Sequence, residues 1–311
     1  MARPLRIEYP GAYYHIINRG LERRQIFRSP KDYEYFLGLL EYIHEKYGVV
    51  VYSYCLMPNH YHIYLQTPQG NLAKAMRQLD GNFTQKFNKR HKRVGPLFQG
   101  RYKAVLVQAD IYSLQLSKYI HLNPVKAKMT EKPENFEYSS YSAYLGKVKT
   151  PTFLNTEWLL SQFHKTKKKA IKVLRQYTHA IEEDGWIPEQ ETYKGAVLAE
   201  NDFIKDIQER YLEQQDNSEI PILRLIQKDS RVLRVEKVVN SLNLPLNLQK
   251  KILIYALKEF SPLTLNEIGE KLLGLHYSSV SKVVSRLKEQ SKTDRQLEGY
   301  LTKINLLLTN V

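Results

Sequence analysis

Cysteine is almost missing from this 311-residue chain, which carries one, Cys55. A single thiol excludes a disulfide framework within the chain and excludes cysteine-based zinc sites. Long apolar runs are missing too: the longest span a few residues, far short of the ~20 a membrane helix needs. Residues 1–8 (MARPLRIE) carry a charge every few positions and lack the apolar stretch of a secretory signal, so the expected location is the cytoplasm, with no membrane partner. Acidic residues are in short supply, 32 against 47 Lys and Arg, which leaves a net charge of +15. What is abundant is basic charge and tyrosine, 23 of them, and that balance points to a polyanionic partner. The length suits two or three domains, each able to bury its own core.

The charge is unevenly placed. Residues 1–150 hold 23 basic and 11 acidic side chains, together with 17 of the tyrosines. From Lys74 to Lys103 nine basic residues face one acid, Asp80. Basic side chains release counterions from phosphates and aromatics stack unpaired bases, so this mixture suits single-stranded nucleic acid; a solvated basic helix face is the plainer alternative. From Glu182 to Glu219 twelve acids outnumber three bases, and 220–311 returns to 15 basic against 8 acidic. Those swings divide the chain into a basic domain at 1–150, an all-helical connector at 151–219 and a basic helical domain at 220–311.

Periodicity gives the elements. Tyr13–Arg19 reads as a strand closing at Gly20, and 31–47 as an amphipathic helix stopped by Gly48. Strands at 49–56 and 60–66 flank a Met57-Pro58-Asn59 turn. A helix at 71–89, a strand at 101–108 and a helix N-capped by Asp110 and running to about Leu122 complete the domain. The order β-α-β-β-α-β predicts an α+β, ferredoxin-like antiparallel sheet with two helices on one face and the other face free.

On that free face the chemistry gathers. His60 and His62 lie two apart on one strand, so both side chains project from one face, opposite to apolar Tyr61, Ile63 and Leu65. They can converge on one ion, although an isolated H-x-H is more often two incidental histidines. Tyr119 and Asn123, four apart, share a helical face that presents a phenol and an amide oxygen together. His15 is expected on the same sheet face as a structural histidine.

The stretch MPNHYHIYL resembles the histidine–hydrophobic–histidine signature of the HUH endonucleases. With YYHIINRG, GPLFQGRYKA and YIHLNPVKA it is similar to the single-tyrosine HUH transposases, and among them to the REP-associated tyrosine transposases, over roughly residues 5–145. The resemblance implies His60 and His62 as metal ligands, Tyr119 as the DNA-attacking nucleophile and Asn123 as a polar ligand one turn on. It implies Mg²⁺ or Mn²⁺, while a mostly nitrogen ligand set favours a transition metal over magnesium. His121 stands where that family often has an acid. Arg90, Arg93, Gln99 and Arg101 form a candidate DNA-backbone cradle, strengthened by the resemblance for Gln99 and Arg101. The implied activity is nicking and strand transfer on hairpin-forming repeats through a 5′-phosphotyrosine.

Residues 264–289 predict a helix-turn-helix with Gly274 in the turn and Ser278, Ser279, Lys282, Ser285 and Arg286 on the exposed face of the second helix. The segment resembles the DNA-binding domain of the bacterial initiator DnaA, but the charged base readers of that family are replaced by Leu275, His276 and Tyr277. Duplex binding is therefore expected there, and single-stranded or hairpin DNA at the first domain, by a monomer or homodimer. A non-catalytic DNA-binding regulator on the same scaffold is the alternative, and an RNA-binding domain of like topology a third reading.

Overall fold

The computed structural model describes residues 6–180, 186–212, 221–242, 244–272 and 274–309. Strand β1 (Ala12–Arg19) alternates, with Tyr14 and Ile16 buried on one face and Tyr13, His15, Ile17 and Arg19 on the other. Helix α1 (Pro30–Tyr47) starts at a capping box in which Asp32 reaches back to Ser29, and stops at Gly48, whose φ of 66° is the left-handed value glycine adopts without strain. Strands β2 (Val50–Met57) and β3 (His60–Thr67) form a hairpin, followed by α2 (Leu72–Arg90), β4 (Lys103–Val107) and α3 (Ala109–Lys126). The strand order β2-β3-β1-β4, with every neighbour antiparallel, is the expected ferredoxin-like arrangement. Tyr61, Ile63 and Leu65 are fully buried, and the Phe36 ring of α1 meets that of Tyr61 at 4.9 Å.

The other face is not free. Cys55, Met57, Tyr64, Val105 and Val107 make it apolar as well, and apolar sheet surface must be covered. Leu116 and Ile120 of α3 cover it, joined by Tyr141 and Tyr144 of α4 (Tyr141–Tyr144), Leu159 and Leu160 of α5 (Glu157–Ser161) and Leu174 of α6 (Lys167–His179). The same segment follows the β2 edge, where Leu56 donates to the Tyr138 carbonyl and Val51 to that of Phe153. An edge so paired cannot template another strand.

The expected all-helical connector also differs. After α7 (Pro188–Glu191), β5 (Val197–Leu198) joins the sheet parallel to β4, and α8 (Asn201–Leu212) follows. Residues through Ile207 thus belong to the sheet unit, and a second compact unit begins at Gln208. The expected junction at 219/220 lies outside the described residues. Helix α3 likewise departs from expectation: its N-cap is Gln108, Asp110 sits in its first turn, and it runs through Pro124 to Lys126. In that last turn the Asn123 side-chain amide donates to the Tyr119 carbonyl at 2.9 Å.

The second unit is helical: α9 (Pro221–Ser241), α10 (Leu246–Phe260), α11 (Leu265–Lys271), α12 (Tyr277–Gln290) and α13 (Arg295–Thr309). Thr264 and Glu267 cap α11 reciprocally. A Cβ on Gly269 would lie 1.9 Å from the Leu275 carbonyl oxygen, so only glycine lets α11 approach the turn before α12. Among the described residues, no helix is long and apolar enough to cross a membrane.

Candidate active site

Register on β3 places the two histidines. His60 pairs with Arg19 and Met57 on the flanking strands, and His62 with Ile17 and Cys55, so both imidazoles lie on the face that α3 covers, with ring centroids 5.0 Å apart. The cover stops short of this end of the sheet. A cavity of about 660 Å³ opens there, lined by His60 and His62 together with Arg19, Arg23, Gln99, Arg101 and Lys103.

The hydrogen bonds around His60 fix its tautomer. Asn59 donates through Nδ2 to the Arg23 carbonyl, which turns its Oδ1 toward His60 Nδ1 at 2.7 Å. An amide oxygen only accepts, so the imidazole proton sits on Nδ1 and Nε2 presents its lone pair. His62 is almost wholly buried, and its Nδ1 lies 3.0 Å from Nε2 of fully buried His15. Burial, with the Arg19 charge adding to it, lowers the His60 pKa to about 4. Burial lowers His15 to about 3, with a smaller contribution from Lys103, and takes His62 well below its ordinary value. All three are neutral near pH 7, the form that ligates a cation.

Tyr119 of α3 comes to the same place. Its ring meets His62 edge-on at 5.7 Å and His15 at 6.1 Å, with Lys126 Nζ 4.9 Å from its centroid and Trp186 packed against it at 6.0 Å. Asn123, one turn on, does not line the cavity; its amide is turned to the Tyr119 carbonyl. Among the described residues no three His, Cys, Asp or Glu side chains are placed to hold a metal ion together. The donors nonetheless fit a divalent cation: His60 offers an oriented, neutral nitrogen, His62 is beside it, and the open cavity leaves positions for substrate oxygens.

Gln99 and Arg101 both line the cavity. Gln99 Oε1 accepts from Arg19 Nη2 at 3.0 Å, and its N–H donates to the Arg19 carbonyl. Arg19, Arg23 and Lys103 were not singled out in the sequence. For Arg19 and Lys103 the signal was there in alternation, since both share the face of His15, but the register that sets them opposite the histidines was not. Glu22 and Arg23 are consecutive non-glycine residues at φ 55° and 60°, strain of order 1–3 kcal/mol each held at the cavity rim.

Arg90 does not line the cavity. Its Nη1 lies 2.5 Å from Oδ1 of Asp32, whose side chain is fully buried, so its charge is committed to the fold. Arg93 lies over the Phe87 ring at 5.9 Å rather than at the cavity. His121 is buried, its Nε2 2.8 Å from Ser140 Oγ and its ring 5.1 Å from that of Tyr141 and 5.4 Å from that of Tyr144, and burial lowers its pKa to about 3. Asp80, the lone acid of the basic run, accepts from Tyr61 at 2.7 Å and Asn18 at 3.0 Å behind the sheet, and burial raises its carboxyl to about 6. In the helical unit Lys282 and Arg286 are exposed on α12, Ser279 is half-buried, and Ser278 Oγ lies 2.8 Å from His276 Nδ1.

No curated protein matches the chain. Among solved structures, a REP-associated tyrosine transposase bound to a REP hairpin is similar at 15% identity and a TM-score of 0.40, over 49% of this chain and 90% of that one. Residues 8–123, the stretch that contains His15, His60, His62, Tyr119 and Asn123, match the family model for IS200-like transposases.

Proposed function

We propose that this chain nicks and rejoins single-stranded DNA through a covalent bond to Tyr119, with His60 and His62 as ligands of Mg²⁺ or Mn²⁺. The observation that carries the proposal is the contact of the Tyr119 ring with that of His62, which lines a cavity rimmed by arginine and lysine. His60 and His62 would hold a divalent cation that would supply charge neutralisation at the phosphate, and Asn123 would join them as an oxygen donor only once its amide leaves the Tyr119 carbonyl. Tyr119 Oη attacks phosphorus in line and gives up its proton; the new Oη–P bond forms as the P–O3′ bond breaks, releasing a 3′-hydroxyl. The 5′-phosphotyrosine keeps the energy of the broken bond, so a 3′-hydroxyl can reverse the step without ATP.

Arg19, Arg23, Arg101 and Lys103 bind the phosphates on either side, with Gln99 holding Arg19 in place. The buried, neutral histidines keep their lone pairs available across the working pH range. A hairpin-forming repeat is the proposed substrate, on the strength of the motif resemblance. The exposed face of α12, through Ser278, Ser279, Lys282 and Arg286, is the proposed duplex contact that holds the enzyme near its site. Incubating the full chain with hairpin-tailed oligonucleotides tests the reading. A covalent protein–DNA band is expected in Mn²⁺, absent in EDTA and absent in Tyr119→Phe. A Tyr119→Phe protein that still forms the band refutes the role of Tyr119, and a wild-type protein that binds but forms none favours the non-catalytic regulator.

A further inference from the structure

The His15–His62 contact has the geometry of an in-plane imidazole–imidazole hydrogen bond. The nitrogens are 3.0 Å apart, the rings are within 21° of parallel, and their centroids are 5.2 Å apart. With the centroids so much farther apart than the nitrogens, the rings meet edge to edge rather than face to face. One proton lies between them, and it has two registers. In the first, His62 donates from Nδ1, His15 accepts at Nε2, and His62 Nε2 is left with a lone pair. In the second, His15 donates from Nε2 and the His62 proton sits on Nε2, which cannot then ligate a cation. The total number of protons on the pair is the same in both.

His15 Nδ1 is buried and has no hydrogen-bond partner among the described residues. In the first register it carries an unsatisfied N–H, and in the second a bare lone pair. Nothing at the far side of His15 therefore enforces a register, and ligation at His62 selects the first. A ligating histidine ordinarily donates its other N–H to a carboxylate or a carbonyl. Here that acceptor is a second imidazole, 47 residues earlier in the chain and on the neighbouring strand.

We infer that His15 is a positioning residue for the cation site: its Nε2 accepts from His62 Nδ1, holding the His62 ring and leaving Nε2 to the cation. The inference rests on the proposed role of His62 as a ligand. Its place on β1 supports it, because β1 is the strand hydrogen-bonded directly to β3 and keeps the two rings in register. Tyr119 also touches both rings, so the ring plane that His15 fixes is the one the nucleophile packs against.

The test measures Mn²⁺ binding to the full chain without DNA, by the loss of the free-ion electron paramagnetic resonance signal. His15→Phe keeps a ring and removes the acceptor; His15→Gln places an amide oxygen near the former Nε2. A 10–100-fold weaker Mn²⁺ affinity is expected for His15→Phe, with His15→Gln recovering most of the loss. Equal affinity in His15→Phe and wild type overturns the inference, provided His62→Ala abolishes binding; if His62→Ala also binds normally, it is the ligand role of His62 that falls. Should His15→Phe fail to fold, long-range ¹H–¹⁵N spectra of wild type loaded with Zn²⁺ decide the point. The His62 proton is expected on Nδ1, and a proton on Nε2 overturns the proposal.

Discussion

Asp32 ties the start of α1 to the end of α2, and its removal has a calculable cost. The side chain is fully buried and accepts from the backbone N–H groups of Arg28 and Ser29, from Ser29 Oγ, from Arg90 Nη1 at 2.5 Å and from His91 Nε2 at 2.9 Å. Breaking a buried ion pair costs about 3–5 kcal/mol. Arg90 keeps a quarter of its side chain exposed and can hydrate when abandoned, which argues for the lower end, about 3. Losing the capping box adds about 1 kcal/mol, so Asp32→Ala is expected to destabilise the sheet unit by about 4 kcal/mol. That is a large share of the 5–15 kcal/mol typical of a domain.

Urea unfolding followed by tryptophan fluorescence reads this unit alone, because Trp158 and Trp186 are the chain's two tryptophans. Burial by itself would raise the Asp32 carboxyl, but the hydrogen bonds from Arg90, Arg28, His91 and Ser29 outweigh it and hold the pKa below the ordinary value. A depressed carboxyl pKa stabilises above the unfolded value and loses that contribution as pH falls through the folded one, so the gap between wild type and variant should close in acid. A loss under 1 kcal/mol at pH 7, or a gap unchanged at pH 2, refutes the assignment of this cluster as the lock between the helices.

Asp80 should behave in the opposite sense: its pKa is raised to about 6, so wild type is penalised as pH rises from about 4 through 6, by up to about 3 kcal/mol. Asp80→Asn should therefore gain stability over wild type at pH 8 relative to pH 4, and a difference that does not vary with pH would contradict it. Gly269→Ala should disrupt the α11–α12 pair, since its methyl would strike the Leu275 backbone; amide exchange in 264–290 should speed up while the tryptophan-monitored transition stays in place. Arg101→Ala and Lys103→Ala should each weaken DNA binding at the sheet unit and reduce its salt dependence by about one unit of slope, whereas exposed Lys92→Ala, away from the cavity, should leave both nearly unchanged.

Several of these residues illustrate why parts of the site were legible and others were not. The pairing of His60 with His62 followed from the two-residue repeat of a strand, and the alignment of Tyr119 with Asn123 from the four-residue repeat of a helix. Arg90 read as a free base in a basic run because its partner, Asp32, lies 58 residues away and only folding brings it near. The two-residue strand Val197–Leu198 carries no period at all, and its place is decided by the Leu106 and Gln108 N–H groups, which donate to the Ala196 and Leu198 carbonyls. The covering of the second sheet face escaped for a related reason: its apolar residues are spread over four separate segments, and no one of them signals burial alone.

Local sequence by itself determined the element order, the antiparallel sheet and the faces on which the histidines and Tyr119 lie, because those depend on repeats of two and 3.6 residues. The tertiary structure alone decided which of those faces meet. It set His15 against His62, turned Arg19, Arg23 and Lys103 into one rim, and withdrew Arg90 into the fold, since each of these is a pairing across tens of residues whose register no local pattern encodes.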